Sequence, residues 1–316
     1  MDATNNMVTT YSRDIISQVR RVVVGKDSVL LWVLAAILAK GHILLEDIPG
    51  VGKTTMALAF SKVLDLDYAR VQFTPDVLPS DVTGYSVPNP TGGMTYQPGA
   101  VLCNLFLADE LNRATSRTQS ALLEAMEEGQ VTVDGVSHPL PQPFVVIATQ
   151  NPTGAAGTQL LPDSQMDRFI LRLSLGYPSA KDEVAMVLNR QGGNPLQALE
   201  PLLNRETLIA LQDTVAATHV HPEVVQYAVD LINATRNDEN ILRGASPRAT
   251  LAVIAMAKAL AQLRGRDYVL PADVSEVFPR TVEHRLLLSP KGEGSGKSAQ
   301  RILQDILARI GAPKLH

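Results

Sequence analysis

The chain has 316 residues, 45% hydrophobic and 19% charged, which suits one large or two ordinary globular domains and excludes a disordered polymer. Its net charge of −4 and pI near 5.9 argue against a broad basic surface for nucleic acid. A single cysteine, Cys103, excludes an internal disulfide and a cysteine metal cluster, and its apolar surroundings make it a small core residue.

In chain order, residues 1 to about 11 read as loose. The start, MDATNNMVTTYSRD, has neither the basic opening nor the apolar stretch of a signal peptide. Ile15, Ile16, Val19 and Val23 recur at helical spacing, and the apolar run Val29 to Ala39 forms a second helix. That run is the longest in the chain and falls well short of the ~20 residues that span a bilayer, so a buried helix and a cytoplasmic protein are expected.

The stretch HILLEDIPGVGKTTMAL, His42 to Leu58, is the centre of the chain. A short apolar run suits a buried strand, a turn holds Pro49, Gly50, Val51 and Gly52, and Lys53, Thr54 and Thr55 open an apolar helical pattern. Strand, glycine-rich turn and helix build a phosphate cradle, because turn N–H groups and the helix N-terminus point into one concavity. Lys53 is expected to reach the β- and γ-phosphates of a nucleotide, and the Thr54 hydroxyl to hold Mg²⁺. Asp47 stands where the G-x-x-x-x-G-K-[ST] pattern has its first glycine, which brings a carboxylate near phosphate at a cost in affinity.

Arg70 to Phe73 reads as a strand, and Pro75 to Gly99, dense in Pro, Gly, Asp, Asn and Thr, as loops and turns. The run Leu102 to Ala108 closes on Asp109-Glu110, a buried strand with two acids at the edge where open α/β sheets bind ligands. Asp109 is expected to hold Mg²⁺ through water and Glu110 to polarise the attacking water as a general base. A helix follows from about Thr115 to Glu128, with Gly129 as its stop, then a hairpin over 130–140 around Asp134-Gly135. Phe144 to Thr149 is a further buried strand. Asn151, just beyond it, would orient the water if this strand neighbours that of Asp109.

Arg168 enters a last strand, Phe169 to Leu175, and from a domain edge would reach a neighbour's γ-phosphate, with Arg113 and Arg117 as competitors. Strands alternating with helices imply a parallel sheet. Beyond Pro178 the apolar spacing is helical throughout, with no convincing strand, so residues 1–178 form an α/β nucleotide-binding core and 179–316 an all-helical lid. Arg248, after an N-cap serine at 246, is placed to sense the phosphates across the cleft. The stretch GEGSGKS, 292–298, resembles a second phosphate loop but reads as a flexible connector. His219 and His221 lack a third ligand at metal-binding spacing.

Taken together, HILLEDIPGVGKTTMA, LFLADELNRATSRTQSALLEAMEEGQVTVDG, FVVIATQNP, LPDSQMDRF and GASPRA resemble the MoxR family of AAA+ ATPases, in the family's order and over about residues 20 to 290. The resemblance implies a P-loop NTPase fold with Walker A at 47–54, Walker B at Asp109-Glu110, sensor 1 at Asn151, an arginine finger at Arg168 and sensor 2 at Arg248. It also implies Val24 and Gly25 near the adenine, a loop insertion at 81–99 and a pre-sensor-1 hairpin at 130–140. It further implies a homo-oligomeric, hexameric ring that hydrolyses ATP with Mg²⁺, works beside a von Willebrand A-domain protein and acts on a protein client, in maturation or metal insertion. A nucleotide-gated scaffold with little turnover and a DNA motor are the alternatives. Neither a membrane span nor a nucleic-acid partner is expected.

Overall fold

The structure, a computed structural model, describes residues 3–48, 50–90, 92–151, 161–191 and 193–314. The core half runs α1 (Ala3–Val19), α2 (Asp27–Leu38), β1 (His42–Glu46), α3 (Lys53–Val63), β2 (Tyr68–Gln72), α4 (Pro79–Thr83), β3 (Gly84–Pro88), β4 (Met94–Pro98) and β5 (Leu105–Asp109). It continues with α5 (Ser116–Glu128), β6 (Gln130–Val133), β7 (Val136–Pro139), β8 (Val145–Gln150), α6 (Asp163–Met166) and β9 (Phe169–Leu173). The lid half holds α7 (Ala180–Gln191), α8 (Arg205–Ala216), α9 (Pro222–Arg236), β10 (Ile241–Arg243), α10 (Pro247–Leu263), α11 (Pro271–Val282), β11 (Leu287–Leu288), α12 (Pro290–Gly294) and α13 (Ala299–Arg309).

The central sheet has five parallel strands in the order β2-β5-β8-β1-β9. Its inner strands are apolar over most of their length because both faces are covered, with polar residues confined to the strand ends. Ile43 and Leu45 of β1, Leu105 and Leu107 of β5, and Val145 and Ile147 of β8 enter one core. The alternate residues Leu44, Phe106, Ala108, Val146 and Ala148 enter the other, against Leu122, Leu123 and Met126 of α5. Burying each of the larger side chains among these contributes about 1.5–3 kcal/mol. β8 pairs with both β1 and β5, so the strand that ends near Asn151 lies between the phosphate-loop strand and the Asp109 strand. His42 fixes the foot of this sheet: its ring accepts from the Val146 amide at 3.0 Å and meets the Met126 carbonyl at 3.2 Å. Burial pushes its pKa down to about 4, opposed in part by that carbonyl, so the ring is neutral near pH 7.

The first core does not stop at the sheet. It runs through α1 and α2 into Leu208, Leu211, Leu231, Val253, Leu260 and Phe278 of the lid half. Residues 3–11, read as loose, belong to α1, because Val8, Ile15 and Val19 form one buried stripe. Val8 and its exposed neighbour Met7 stand among polar residues, with no apolar residue three or four positions before, so the stripe does not show at its N-terminal end. The lid half is not all helix, since β10 and β11 pair antiparallel. Strands of three and two residues are too short to show a period of two.

Between Pro75 and Gly99 the proline- and glycine-rich stretch contains α4 and an antiparallel hairpin, β3–β4. The Tyr96 and His138 rings stack at 3.7 Å, joining this hairpin to β6–β7. The strand expected from Leu102 starts at Leu105, because Asn104 turns its buried amide to the Pro143 carbonyl, 2.9 Å, and accepts from the Asp67 amide, 3.3 Å. GEGSGKS is partly helical: α12 ends at Gly294, and a Cβ at Gly292 would meet the Asn240 carbonyl at 2.2 Å. This tight contact replaces the flexible connector expected from composition. Among the described residues, no helix is long and apolar enough to cross a membrane.

Candidate nucleotide site

The phosphate loop leaves β1 and re-enters helix at Lys53. Gly50 and Gly52 have φ of +86° and +99°, a region L side chains rarely adopt, and nothing lies within 4 Å of where a Cβ would stand. Backbone conformation, not crowding, demands glycine here. Pro49 lies outside the described residues. Lys53 is nearly buried, and its Nζ donates to the Asp47 carbonyl at 2.7 Å and the Ile48 carbonyl at 3.2 Å. Burial holds its pKa below the ordinary lysine value, opposed by the charges of Asp47, Asp109 and Glu110.

Two adjoining cavities meet at Gly50, Gly52 and Thr55. The smaller, about 360 Å³, is lined by Lys53, Thr54, Arg70, Gln72, Asp109, Glu110 and Asn151 besides those three. The larger, about 510 Å³, takes Val22, Val23, Val24 and Lys26 on one side, Val51 at the loop, and Met186, Asn189 and Arg190 of α7 on the other. A compartment lined mainly by charged and polar side chains opening into one with more apolar lining matches the outline of a nucleotide. Val24 lines the larger cavity. Gly25, with φ +74°, stands behind it, and a Cβ there would meet the Asp182 carboxylate at 2.3 Å.

The two acids at the end of β5 are held differently. Asp109 Oδ1 accepts from the Thr149 hydroxyl at 2.7 Å, and Oδ2 accepts from Arg70 Nη2 at 2.7 Å and Nε at 3.2 Å. Glu110 sits in the left-handed region, φ 56° and ψ 45°, which is strained for a residue with a Cβ. Its amide donates to Thr149 Oγ1 at 2.8 Å. Its carboxylate accepts from Arg113 Nη1 at 2.8 Å and from Asn151 Nδ2 at 3.3 Å. Thr149 therefore ties both acids to β8. Arg70 and Gln72, two residues apart on β2, put polar ends into the cavity while Ala69 and Val71 pack inward. Arg70, Gln72 and Thr149 escape a reading of the sequence, although polar residues alternating with apolar ones along a strand mark a face turned away from the core.

Asp47 does not face the phosphates. Its carboxylate, 5% exposed, accepts from Ser174 Oγ at 2.7 Å, the Leu175 amide at 2.6 Å and the Gly176 amide at 3.0 Å. The expected cost of a negative charge beside phosphate is met by these three donors at the end of β9.

Arg168 and Arg248 come together away from both cavities. Arg168 donates to Glu127 through Nη2 at 2.8 Å and Nε at 3.0 Å, and to the Ser164 carbonyl at 3.0 Å; Arg248 pairs with the other oxygen of Glu127. Desolvation raises the Glu127 pKa, but Arg248 and Arg168 outweigh it and hold the carboxyl below its usual range. Arg248 thus stands on Glu127 in this structure and does not line the phosphate cavity. Helix α10, started by Ser246, places it over α5 instead, and Ser246 Oγ itself donates to Asp167 at 2.8 Å. Arg113 is engaged by Glu110, and Arg117 is exposed on α5. His221 Nδ1 accepts from the Glu223 amide at 3.3 Å as a helix cap, and no metal-holding cluster occurs among the described residues.

The profile of the ATPase family associated with various cellular activities (AAA) matches residues 42–171, and that of the AAA lid domain matches 233–306. The chain is 39% identical to the chaperone MoxR1 of Mycobacterium tuberculosis, over 95% of this chain and 82% of that protein. The chain belongs to the MoxR family of AAA+ ATPases. The uncharacterised protein YeaC of Bacillus subtilis is 44% identical over 94% of this chain and 93% of its own length. The crystal structure of a candidate ATPase from Cytophaga hutchinsonii superposes with a TM-score of 0.91 at 35% identity, covering 98% of this chain and 97% of that one. This MoxR-family chain is therefore an ATP hydrolase with an α/β P-loop core and a helical lid.

Proposed function

We propose that the chain hydrolyses Mg-ATP as one subunit of a ring, hexameric as in the family resemblance, and uses the cycle to remodel or mature a protein client. The core through residue 178 would bind the nucleotide, and the lid from 179 would move with its state. The observation that carries this reading is a division of the machinery. Lys53, Thr54, Asp109, Glu110 and Asn151 share one cavity, whereas Arg168 and Arg248 sit together on Glu127 outside it.

Within the cavity, Lys53 binds the β- and γ-phosphates, and Glu110 takes a proton from the attacking water while Asn151 holds that water in line. Val24, with Gly25 behind it, borders the base. The Thr54 hydroxyl and the Asp109 carboxylate present hard oxygen ligands to the same space, which fits Mg²⁺. When bound, that ion neutralises charge on the phosphate oxygens. Arg168 and Arg248 are proposed to leave Glu127 for the nucleotide of a neighbouring copy. A von Willebrand A-domain partner and a cytoplasmic setting complete the proposal.

The deciding experiment is Mg-ATP hydrolysis per protomer over a wide range of protein concentration, with particle size measured alongside. A rate that climbs and saturates as rings form supports the reading, and a constant rate from a monodisperse monomer defeats it. The ion pair between Arg113 and Glu110 favours a second reading, a nucleotide-gated scaffold whose base is held idle. Bound ATP that stays unhydrolysed in the assembled particle would select it.

A further inference from the structure

The segment joining β9 to α7 is gripped from two sides. At its start, next to β9, the Asp47 carboxylate accepts hydrogen bonds from Ser174, Leu175 and Gly176. On the base side, Lys26 Nζ donates to the Tyr177 carbonyl at 2.8 Å, and Asp182, which caps α7 by accepting from Ser179 Oγ at 2.6 Å, packs against Gly25. Helix α7 buries none of its side chains, so packing does little to fix where it stands. Its attachment must do so, and α7 supplies Met186, Asn189 and Arg190 to the wall of the larger cavity.

Asp47 also touches the phosphate side directly. Its backbone carbonyl takes the Lys53 ammonium at 2.7 Å, and phosphate oxygens compete for that same ammonium. One residue thus meets the ligand-binding lysine through its main chain and the lid linker through its side chain. A glycine, as the general P-loop pattern has at this position, makes only the first contact.

We propose that Asp47 is a positioning residue that transmits phosphate occupancy at Lys53 to the linker Ser174–Ser179, and through it to α7 and the wall beside the base. The proposal rests on the nucleotide reading of the two cavities.

The test is hydrogen–deuterium exchange on the full chain, with and without AMP-PNP and Mg²⁺, following the phosphate-loop peptide and the linker peptide separately. In the wild type the analogue slows both. In Asp47→Gly the phosphate-loop peptide is still slowed, whereas the linker exchanges roughly tenfold faster or more and ignores the analogue. Asp47→Asn, which keeps one carbonyl acceptor, restores part of the response.

A merely structural Asp47 gives a different result: the linker speeds up but is slowed by AMP-PNP by the wild-type factor, and that overturns the proposal. Should Asp47→Gly fail to melt cooperatively, Asp47→Asn takes its place, since it leaves one carbonyl acceptor for the three donors. An analogue response of wild-type size in that variant is equally fatal. A wild-type linker indifferent to AMP-PNP, beside a protected phosphate loop, removes the coupling alone. An unprotected phosphate loop removes the nucleotide reading and the proposal with it.

Discussion

The phosphate cavity and the Glu127 edge use the same kind of chemistry, charged side chains in pairs, to opposite effect. In the cavity, Asp109 is almost buried, tied to Thr149 and Arg70, and Glu110 is held in a strained backbone conformation. At the edge, Glu127 and Arg248 are more than a third exposed and Arg168 about a quarter. Exposed pairs contribute at most about 1 kcal/mol and exchange partners readily, whereas groups fixed by several buried hydrogen bonds stay put. The contrast separates the parts that must be rigid before ATP arrives from those free to leave.

The most severe test is Arg168→Ala, expected to lower kcat by about 10³–10⁵ with nucleotide affinity retained. Mixing it with inactive Lys53→Ala should recover hydrolysis, since each chain supplies what the other lacks; a mixture as dead as its components would place Arg168 in its own chain's site. Glu110→Gln comes next, lowering turnover by about 10²–10⁴ while ATP stays bound, as single-turnover measurements would read. Lys53→Ala should weaken Mg-ATP binding by roughly a hundredfold, the scale of one charge-assisted contact network, and calorimetry tests it.

Glu127→Gln should cost at most about 1 kcal/mol of stability and should not lower hydrolysis. A loss like that of Arg168→Ala would make the Glu127 pairing the working arrangement instead of a resting one. The smallest effect concerns the rigid side. His42 has its pKa lowered from 6.5 to about 4, so the unfolded chain binds the extra proton between those values and stability falls as pH drops through that window. His42→Leu should flatten the pH dependence of Tm there by up to one proton, about 1.4 kcal/mol per pH unit.

Local pattern made much of the cavity legible. The apolar run of β1, the glycine turn and the helix opening at Lys53 are contiguous, and Asp109-Glu110 follows directly on a buried strand. Asn151 needed one fact the sequence withholds, that β8 lies between β1 and β5. Contacts between distant residues stayed hidden. Arg70 meets Asp109 across neighbouring strands, Asp47 meets Leu175 across 128 positions, and Arg248 meets Glu127 across 121. No periodicity encodes such pairs, because helical and strand periods report only which face is buried. The pairing of Arg248 with Glu127 was hidden in the same way: an N-cap serine and an arginine show where a helix starts, not what it crosses.

Thr149 carries one more consequence. Its oxygen is already the acceptor for the Glu110 amide, so its single hydrogen is committed to Asp109. The chain of donors from Glu110 through Thr149 to Asp109 therefore has a fixed direction and cannot be read backwards. Valine, with the same outline, would strand an amide on one side and a carboxylate oxygen on the other. Serine would keep the direction but lose the branch that fixes the rotamer. The polarity of the acidic pair is thus written in a neutral hydroxyl on the adjacent strand.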